Sequence, residues 1–371
     1  MSVAQGALRI LHTEASRGWG GQEIRVLSEA RGVASRGHQV MLAAPADSRI
    51  FIEAPRFGVK AEALPIARKG PAGALALRRL LARGAFDVVN THSSTDAWLT
   101  AIACATLAHA PPVVRTRHIS APIAANGATR WLYNRATSRI VTTGERLREQ
   151  VMRETSIDGA RVVSIPTGID LARFRPGERG SARAALGLPP AAGLVGIVAT
   201  LRSWKGHRYL LQAVAAMARA DVEVVVVGDG PQRAALEALA TEPGLAGRVR
   251  FVGNQADVAP WMRSLDVFCL PSYANEGVPQ ALMQAMACGL PVVTSPVGSI
   301  AEIVDDGRTG LLVAPQDAEA LRVAIERLLD DAPLRAALGS RAAATAQERF
   351  GDGHMVDRMI EVFRAAARQD G

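Results

Sequence analysis

Cysteine is scarce: Cys104, Cys269 and Cys288 are the whole complement, and they lie far apart. That spacing supports neither a disulfide framework nor a CxxC zinc site, and it suits a reducing cytosol. Aromatic residues make up only 4% of the chain, so Ala, Val and Leu must build the core. The same scarcity excludes the basic stripe with interleaved rings that marks a nucleic-acid binder, and no nucleic-acid partner is expected. Long apolar runs are missing too. The longest, 98–114, is interrupted by His109, Pro111 and Pro112, so it does not span a bilayer. Residues 1–7 carry no apolar signal core. No GxxxxGKS or GxxxxGKT motif occurs, which excludes a P-loop ATPase. Acidic residues are the minority, 35 against 43 Lys and Arg, leaving a net charge of +8 spread over both halves. That balance suits an anionic partner such as a phosphorylated substrate or a membrane surface.

What is present is an ordinary globular composition, 49% hydrophobic over 371 residues, long enough for two domains. Short β-branched runs at 8–11, 39–43, 88–91, 113–116, 140–142 and 162–165 alternate with helical patterns such as 21–35, 95–109 and 145–154. Such alternation predicts parallel sheets with helices on both faces. A stretch punctuated by Gly168, Pro176, Gly177, Gly180, Pro189 and Pro190 then reads as a linker. A second series follows, with strands at 195–200, 223–227, 249–252, 267–270 and 291–294. One open sheet rarely exceeds about ten strands, so two sheets are expected. The reading is α/β, with two doubly wound domains at 1–174 and 175–345. The tail 346–371 carries an amphipathic helix at 353–368 with Met355, Met359, Ile360 and Phe363 on one face.

In doubly wound sheets ligands bind beyond the carboxyl ends of the strands. After the first strand come Gly20 and Gly21, which would let the backbone approach an anion at a helix N-terminus. After 195–200 come Arg202 and Lys205, a planar fork and a point charge able to clamp a diphosphate. After 267–270 comes Glu276, a carboxylate suited to vicinal hydroxyls. It is followed by Gly277, Val278, Pro279 and Gln280, whose amides at the helix start can hold a phosphate. Gln284 follows Glu276 by eight positions. In the first half His92 and His118 end neighbouring strands, and Asp96 opens the next helix, as either an N-terminal charge or a ligand contact.

These residues resemble retaining glycosyltransferases of family 4, which have the GT-B fold. The resemblance covers nearly the whole chain. It is carried by the Pro271-Ser272, Glu276-Gly277 and Ala285-Met286-Ala287-Cys288-Gly289-Leu290-Pro291 block, by Ile165-Pro166-Thr167-Gly168-Ile169-Asp170, by Gly228-Asp229-Gly230-Pro231 and by Gly20-Gly21. It implies two Rossmann-like domains facing across a cleft, with the last helix returning to the first. It also implies a nucleotide diphosphosugar donor held by Arg202, Lys205, Glu276, the 277–280 backbone and Gln284, with Gly20 and Gly21 facing the phosphates. His118 would lie near the anomeric centre, and Arg202, Lys205, Glu276 and His118 form the catalytic set. His92 and Asp96 are acceptor-side candidates. Three positions depart from the family pattern: Gln284 replaces the second Glu of E-x7-E, the Arg202–Lys205 spacing is short, and Thr167 replaces Asn.

The reaction so implied is sugar transfer to an acceptor hydroxyl with retention. No cofactor or metal is expected, and no Asp-x-Asp pair occurs. A glycan or lipid-linked acceptor and a role in bacterial surface-glycan or lipopolysaccharide synthesis follow from the resemblance. Two alternatives share the architecture: a nucleotide-sugar 2-epimerase and a degenerate, non-catalytic GT-B subunit. The chain is expected to be cytoplasmic. Arg68, Lys69, Arg78, Arg79 and Arg83 surround Leu75, Leu77, Leu80 and Leu81, a basic amphipathic pattern able to sit on the anionic inner leaflet.

Overall fold

The computed structural model describes residues 6–274 and 276–368. Most of the 1–7 segment, Asn275 of the loop before the 280–287 helix, and the last three positions of the 346–371 tail lie outside the described residues. The chain forms two compact units: residues up to Gly168 together with those from Asp352 onward, and Ile169–Gly351.

The first unit carries strands β1 (Arg9–Thr13), β2 (Gln39–Ala44), β3 (Lys60–Ala63), β4 (Val88–Thr91), β5 (Val113–Arg117), β6 (Arg139–Thr142) and β7 (Val162–Ser164). All pair in parallel, in the order β3-β2-β1-β4-β5-β6-β7. The second carries β8 (Gly193–Val198), β9 (Val222–Val227), β10 (Val249–Gly253), β11 (Val267–Leu270), β12 (Val292–Thr294) and β13 (Leu311–Leu312). Their order is β10-β9-β8-β11-β12-β13, again parallel throughout. Parallel strands covered on both faces read as unbroken apolar runs, as β11 does with Val-Phe-Cys-Leu. In each sheet the order reverses beside the first strand, between β1 and β4 and between β8 and β11. These are the positions where doubly wound folds place ligands.

The units divide at 168/169 and 351/352, not at 174/175 and 345/346 as the linker composition implied. Ile169 N donates to Phe350 O at 2.7 Å and bridges Gly351. Ile169 and Phe174 are buried in the second unit's core, so hydrophobic anchoring outweighs the Gly and Pro that follow. The helix Asp352–Ala367 buries Met355, Met359, Ile360 and Phe363 against Ile10, Val33, Val88 and Val114 of the first unit.

Two further corrections concern helices. The 95–109 pattern ends early, in Ser94–Ala105, where the Thr106 hydroxyl and amide both turn back to Ala103 O. The leucines read as lipid-facing lie in the helix Pro71–Gly84, but Leu77, Leu80 and Leu81 pack under it with Leu11, Leu64 and Leu99. Of that set only Leu75 is exposed. The apolar stripe faces the core, as surface helices of globular domains do.

Candidate active site

At the carboxyl edge of the first sheet three histidines stand in a row. His12, near the end of β1, has Nδ1 2.9 Å from His92 Nε2, and His92 Nδ1 lies 3.1 Å from His118 Nε2. The His12 and His92 rings stack with centroids 5.2 Å apart. Burial pulls His12 down to about 3. Burial, and then the nearby His12, His118 and Arg25, hold His92 well below the usual histidine range. Burial and then Arg25 do the same to His118. All three are therefore neutral imidazoles at pH 7. Each has one N–H, so the tautomer of one sets that of the next. His118, at the open end, borders a cavity of about 530 Å³.

Asp96 has no exposed surface. It accepts from Thr13 Oγ1 at 2.8 Å, from the His92 amide at 2.8 Å, and from the Ser93 amide and hydroxyl. It thus completes a capping box that fixes the loop carrying His92. Gly20 is the N-cap of the helix Gly21–Ser35, with φ −174, an extended backbone open to any residue. A methyl group there would lie 3.8 Å from Glu23 Oε2, an ordinary contact. Beside this loop sits buried Glu14, raised to about 8 by burial and then by the charge of Asp96.

At the edge of the second sheet the chemistry sits on loops. Lys205 Nζ lies 2.6 Å from Glu276 Oε1, and Ser272 Oγ donates to the same oxygen at 2.6 Å. Glu276 is 4% exposed. Among the described residues both contacts fall on Oε1. Lys205 closes a short 3-10 turn, Ser203–Lys205, and Gly206 follows with φ +79. A Cβ on Gly206 would meet Pro271 O at 2.0 Å, so only glycine lets the β8 and β11 loops pack here. Tyr273 N donates to Trp204 O at 2.9 Å and ties the same loops. Gly298, φ +58, plays the equivalent part beneath Glu276, where a Cβ would meet the Glu276 carbonyl oxygen at 2.0 Å.

The structure thus brings Lys205 and Glu276 together. Arg202 belongs to the same loop but is exposed, its guanidinium 5.5 Å from the centroid of the Trp204 ring. Gly277 and Val278 precede Pro279, the N-cap of the helix Gln280–Ala287. The sequence predicts a run of phosphate-holding amides over 277–280. Pro279 has no N–H and drops out of that set as a donor. Gln284 is half-buried within the helix. On the first unit the structure joins His92, His118 and Asp96, and adds His12, which lies just past the 8–11 strand expected from the sequence. Its signal is a titratable residue continuing the buried end of the strand Arg-Ile-Leu-His-Thr.

Family models match both parts of the chain: Glycosyltransferase Family 4 over residues 19–173 and Glycosyl transferases group 1 over residues 192–331. A D-inositol 3-phosphate glycosyltransferase of Mycobacterium marinum is 31% identical over 94% of this chain and 81% of its own length. D-inositol 3-phosphate glycosyltransferase 2 of Catenulispora acidiphila is 35% identical over 62% of this chain, and the match spans only 58% of that relative. Among solved structures, an Anabaena protein crystallised with UDP and glucose superposes with a TM-score of 0.84 at 23% identity. That match covers 96% of this chain and all of the other.

Proposed function

The chain belongs to glycosyltransferase family 4, and from that premise we propose that it moves a sugar from a nucleotide diphosphosugar to an acceptor hydroxyl with retention of configuration. The observation that carries this reading is the Lys205–Glu276 pair at 2.6 Å, set where the strand order of the second sheet reverses. A cation and a carboxylate side by side suit a ligand with both phosphate and vicinal hydroxyls. In this proposal Lys205, Arg202 and the amides of Gly277 and Val278 stabilise the departing diphosphate without a metal. Glu276 Oε2 accepts from the sugar hydroxyls, and Gln284 from the ribose.

Departure of the diphosphate is the main barrier. One well-placed charge stabiliser contributes about 3–4 kcal/mol to such a step. His118, neutral and fixed through His92, orients the reacting groups and carries no charge of its own. The acceptor is a glycan or lipid-linked hydroxyl on the way to a bacterial surface glycan, lipopolysaccharide included; the net charge of +8 suits such anionic surroundings. The proposed location is cytoplasmic: all three cysteines are free thiols, which suits a reducing compartment. Among the described residues no helix is long and apolar enough to cross a membrane. Contact with an anionic leaflet would rest on Arg68, Lys69 and Arg79 with the exposed Leu75, since Leu77, Leu80 and Leu81 face inward.

A panel of UDP-, GDP- and ADP-sugars tests the proposal, with donor hydrolysis and thermal shift read together. One donor class should both stabilise the protein and be hydrolysed. Release of a free epimerised sugar would instead identify an epimerase. No stabilisation by any donor would identify a degenerate subunit.

A further inference from the structure

Glu14 is a buried carboxyl that the transfer chemistry leaves unused. It follows β1 directly, has no exposed surface and is in no ion pair among the described residues. Its Oε1 accepts from the Ser16 amide at 2.8 Å, and its Oε2 accepts from Gln22 Nε2 at 2.5 Å. Gln22 stands in the first turn of the helix Gly21–Ser35 and lines the cavity that His118 borders. It is half-buried, and its Oε1 has no hydrogen-bond partner among the described residues. One end of the Gln22 amide is thus committed to Glu14 and the other end is uncommitted.

The charged groups facing Glu14 are Asp96, from the helix Ser94–Ala105, and Glu23, from the helix that carries Gln22. Both are carboxyls, and His12 on the preceding strand is neutral. Two buried carboxyls within each other's field do not both ionise near neutral pH. Asp96 accepts from four donors, the Thr13 and Ser93 hydroxyls and the His92 and Ser93 amides, whereas Glu14 accepts from two. The charge therefore settles on Asp96 and the proton on Glu14, raised to about 8 by burial and then by Asp96.

A protonated carboxyl has one O–H to place. The Ser16 amide already points at Oε1, so the O–H lies on Oε2 and needs an acceptor opposite it. The Gln22 amide supplies one by turning over, since its two ends have nearly the same shape. Its oxygen then accepts from Glu14, and its NH₂ takes the uncommitted place. The arrangement seen, with Nε2 on Oε2, is the one an ionised Glu14 requires. Stranding a buried polar group is costly, so proton and amide orientation change together.

We propose that Gln22 is a specificity-determining residue for the ligand of this cavity and that Glu14 positions it: with a proton on Glu14 the ligand meets an NH₂, and without it a carbonyl oxygen. Lys69, Arg115 and Arg117 line the same cavity and can only donate. Loss of the Glu14 proton to solvent therefore adds an acceptor to a lining whose cations all donate, and lets a ligand hydroxyl be held by its own hydrogen. The inference rests on the transfer reading only in taking that ligand to be the acceptor with its hydroxyls.

The full chain is labelled at glutamine Cδ and followed by NMR from about pH 6.5 to about 9, with the Gln22 signal assigned by its loss in Gln22→Met. One transition near 8 is expected, and Glu14→Gln should abolish it. A flat Gln22 signal, or the same transition in Glu14→Gln, overturns the proposal. D-glucose is then titrated as a neutral hydroxyl probe on either side of the transition. It should shift the Gln22 signal, and its Kd should tighten by about threefold above the transition in the unmodified chain but stay constant in Glu14→Gln. A Gln22 signal that D-glucose leaves unmoved overturns the ligand contact.

In transfer assays the acceptor KM should follow the same transition and lose it in Glu14→Gln. Gln22→Met should raise that KM by about tenfold and lower kcat by less. A KM without the transition, or a loss confined to kcat, overturns the proposal. A pH-dependent, glucose-sensitive Gln22 signal in a chain that turns over no nucleotide sugar would sink the transfer reading and leave the Glu14–Gln22 pair standing.

Discussion

The two sheets share one strand order around their first strands, yet their carboxyl edges are built by different means. The first edge is made largely of desolvated groups: three neutral histidines in a row, Asp96 and Glu14 behind them, and Arg115 and Arg117 gathered by Tyr133. The second edge is made of loops: an exposed Arg202, a Lys205–Glu276 pair, and backbones pressed together at Gly206 and Gly298. One fold therefore supports two kinds of preorganisation. In the first, burial sets protonation and orientation. In the second, glycine-dependent loop geometry sets position, with Arg202 exposed and the buried Glu276 neutralised by Lys205. Substitution of the exposed Arg202 in the second edge should remove function and spare folding, substitutions at that edge's glycines should cost stability, and those at the buried groups of the first edge should move stability and its pH dependence.

The largest effect belongs to the second edge. Lys205→Ala and Arg202→Ala should each lower kcat/KM by at least ~10²-fold, because each group is asked to stabilise charge that develops in the transition state. Urea unfolding of Arg202→Ala should be nearly unchanged, since that side chain is exposed, whereas Lys205→Ala also strands the buried Glu276 carboxylate and should lose stability. Near-normal turnover in both variants would break the contrast.

The two glycine loops should separate next. Gly206→Ala forces a β-carbon to 2.0 Å from Pro271 O at φ +79 and should cost about 2–3 kcal/mol of stability. Gly20→Ala meets only Glu23 Oε2 at 3.8 Å and should stay within about 0.5 kcal/mol. Equal costs in denaturant titrations would mean that the second edge does not depend on its loops as described.

Gln284→Ala should weaken binding of the free nucleoside diphosphate by about 1–2 kcal/mol, the cost of stranding a hydrogen-bond partner. Gln284→Glu should be tolerated. An unchanged affinity by calorimetry in Gln284→Ala would show that the ribose is held elsewhere.

The smallest effect is one of slope. Glu14 is raised from 4.5 to about 8 and Glu29 to about 7, both chiefly by burial. Between 4.5 and those values the unfolded carboxyl releases a proton that the folded one keeps, so stability falls as pH rises. His12, near 3, acts in the opposite sense in the first unit, as does His207, near 4, in the second. Their contribution is complete above 6.5 and is lost as pH falls toward the folded values. From pH 6.5 to 8, hydrogen-exchange protection relative to the intrinsic, base-catalysed rate should therefore fall in the first unit and hold steady in the second. Glu14→Gln should reduce that fall. Equal slopes in the two units would contradict the desolvation account.

Much of this was legible in the residues because each main signal was local. Apolar runs marked the central strands, and Arg202, Lys205 and Glu276 stood directly after two of them. Edge strands were not legible. β3 is Lys-Ala-Glu-Ala, without β-branched residues, and β13 spans only two residues; both owe their conformation to a neighbouring strand. His12, Arg115 and Arg117 escaped as site residues because their significance is tertiary: adjacent strands had to stack the imidazoles, and Tyr133 had to gather the arginines. The basic leucine-rich segment misled because a helix's apolar stripe reads the same whether it meets lipid or its own core.

The central claim, that the second unit holds a nucleotide diphosphosugar for retaining transfer, is tested most directly by the product. Wild-type and Lys205→Ala proteins are given the donor that stabilises the fold, together with phosphorylated and lipid-linked acceptors. Released nucleoside diphosphate is quantified, and the new glycosidic bond is assigned by NMR. The account predicts nucleoside diphosphate and product in equal amounts, the donor's anomeric configuration kept, and a loss of at least ~10²-fold in Lys205→Ala. An inverted linkage, or a Lys205→Ala protein that turns over like the wild type, would contradict it.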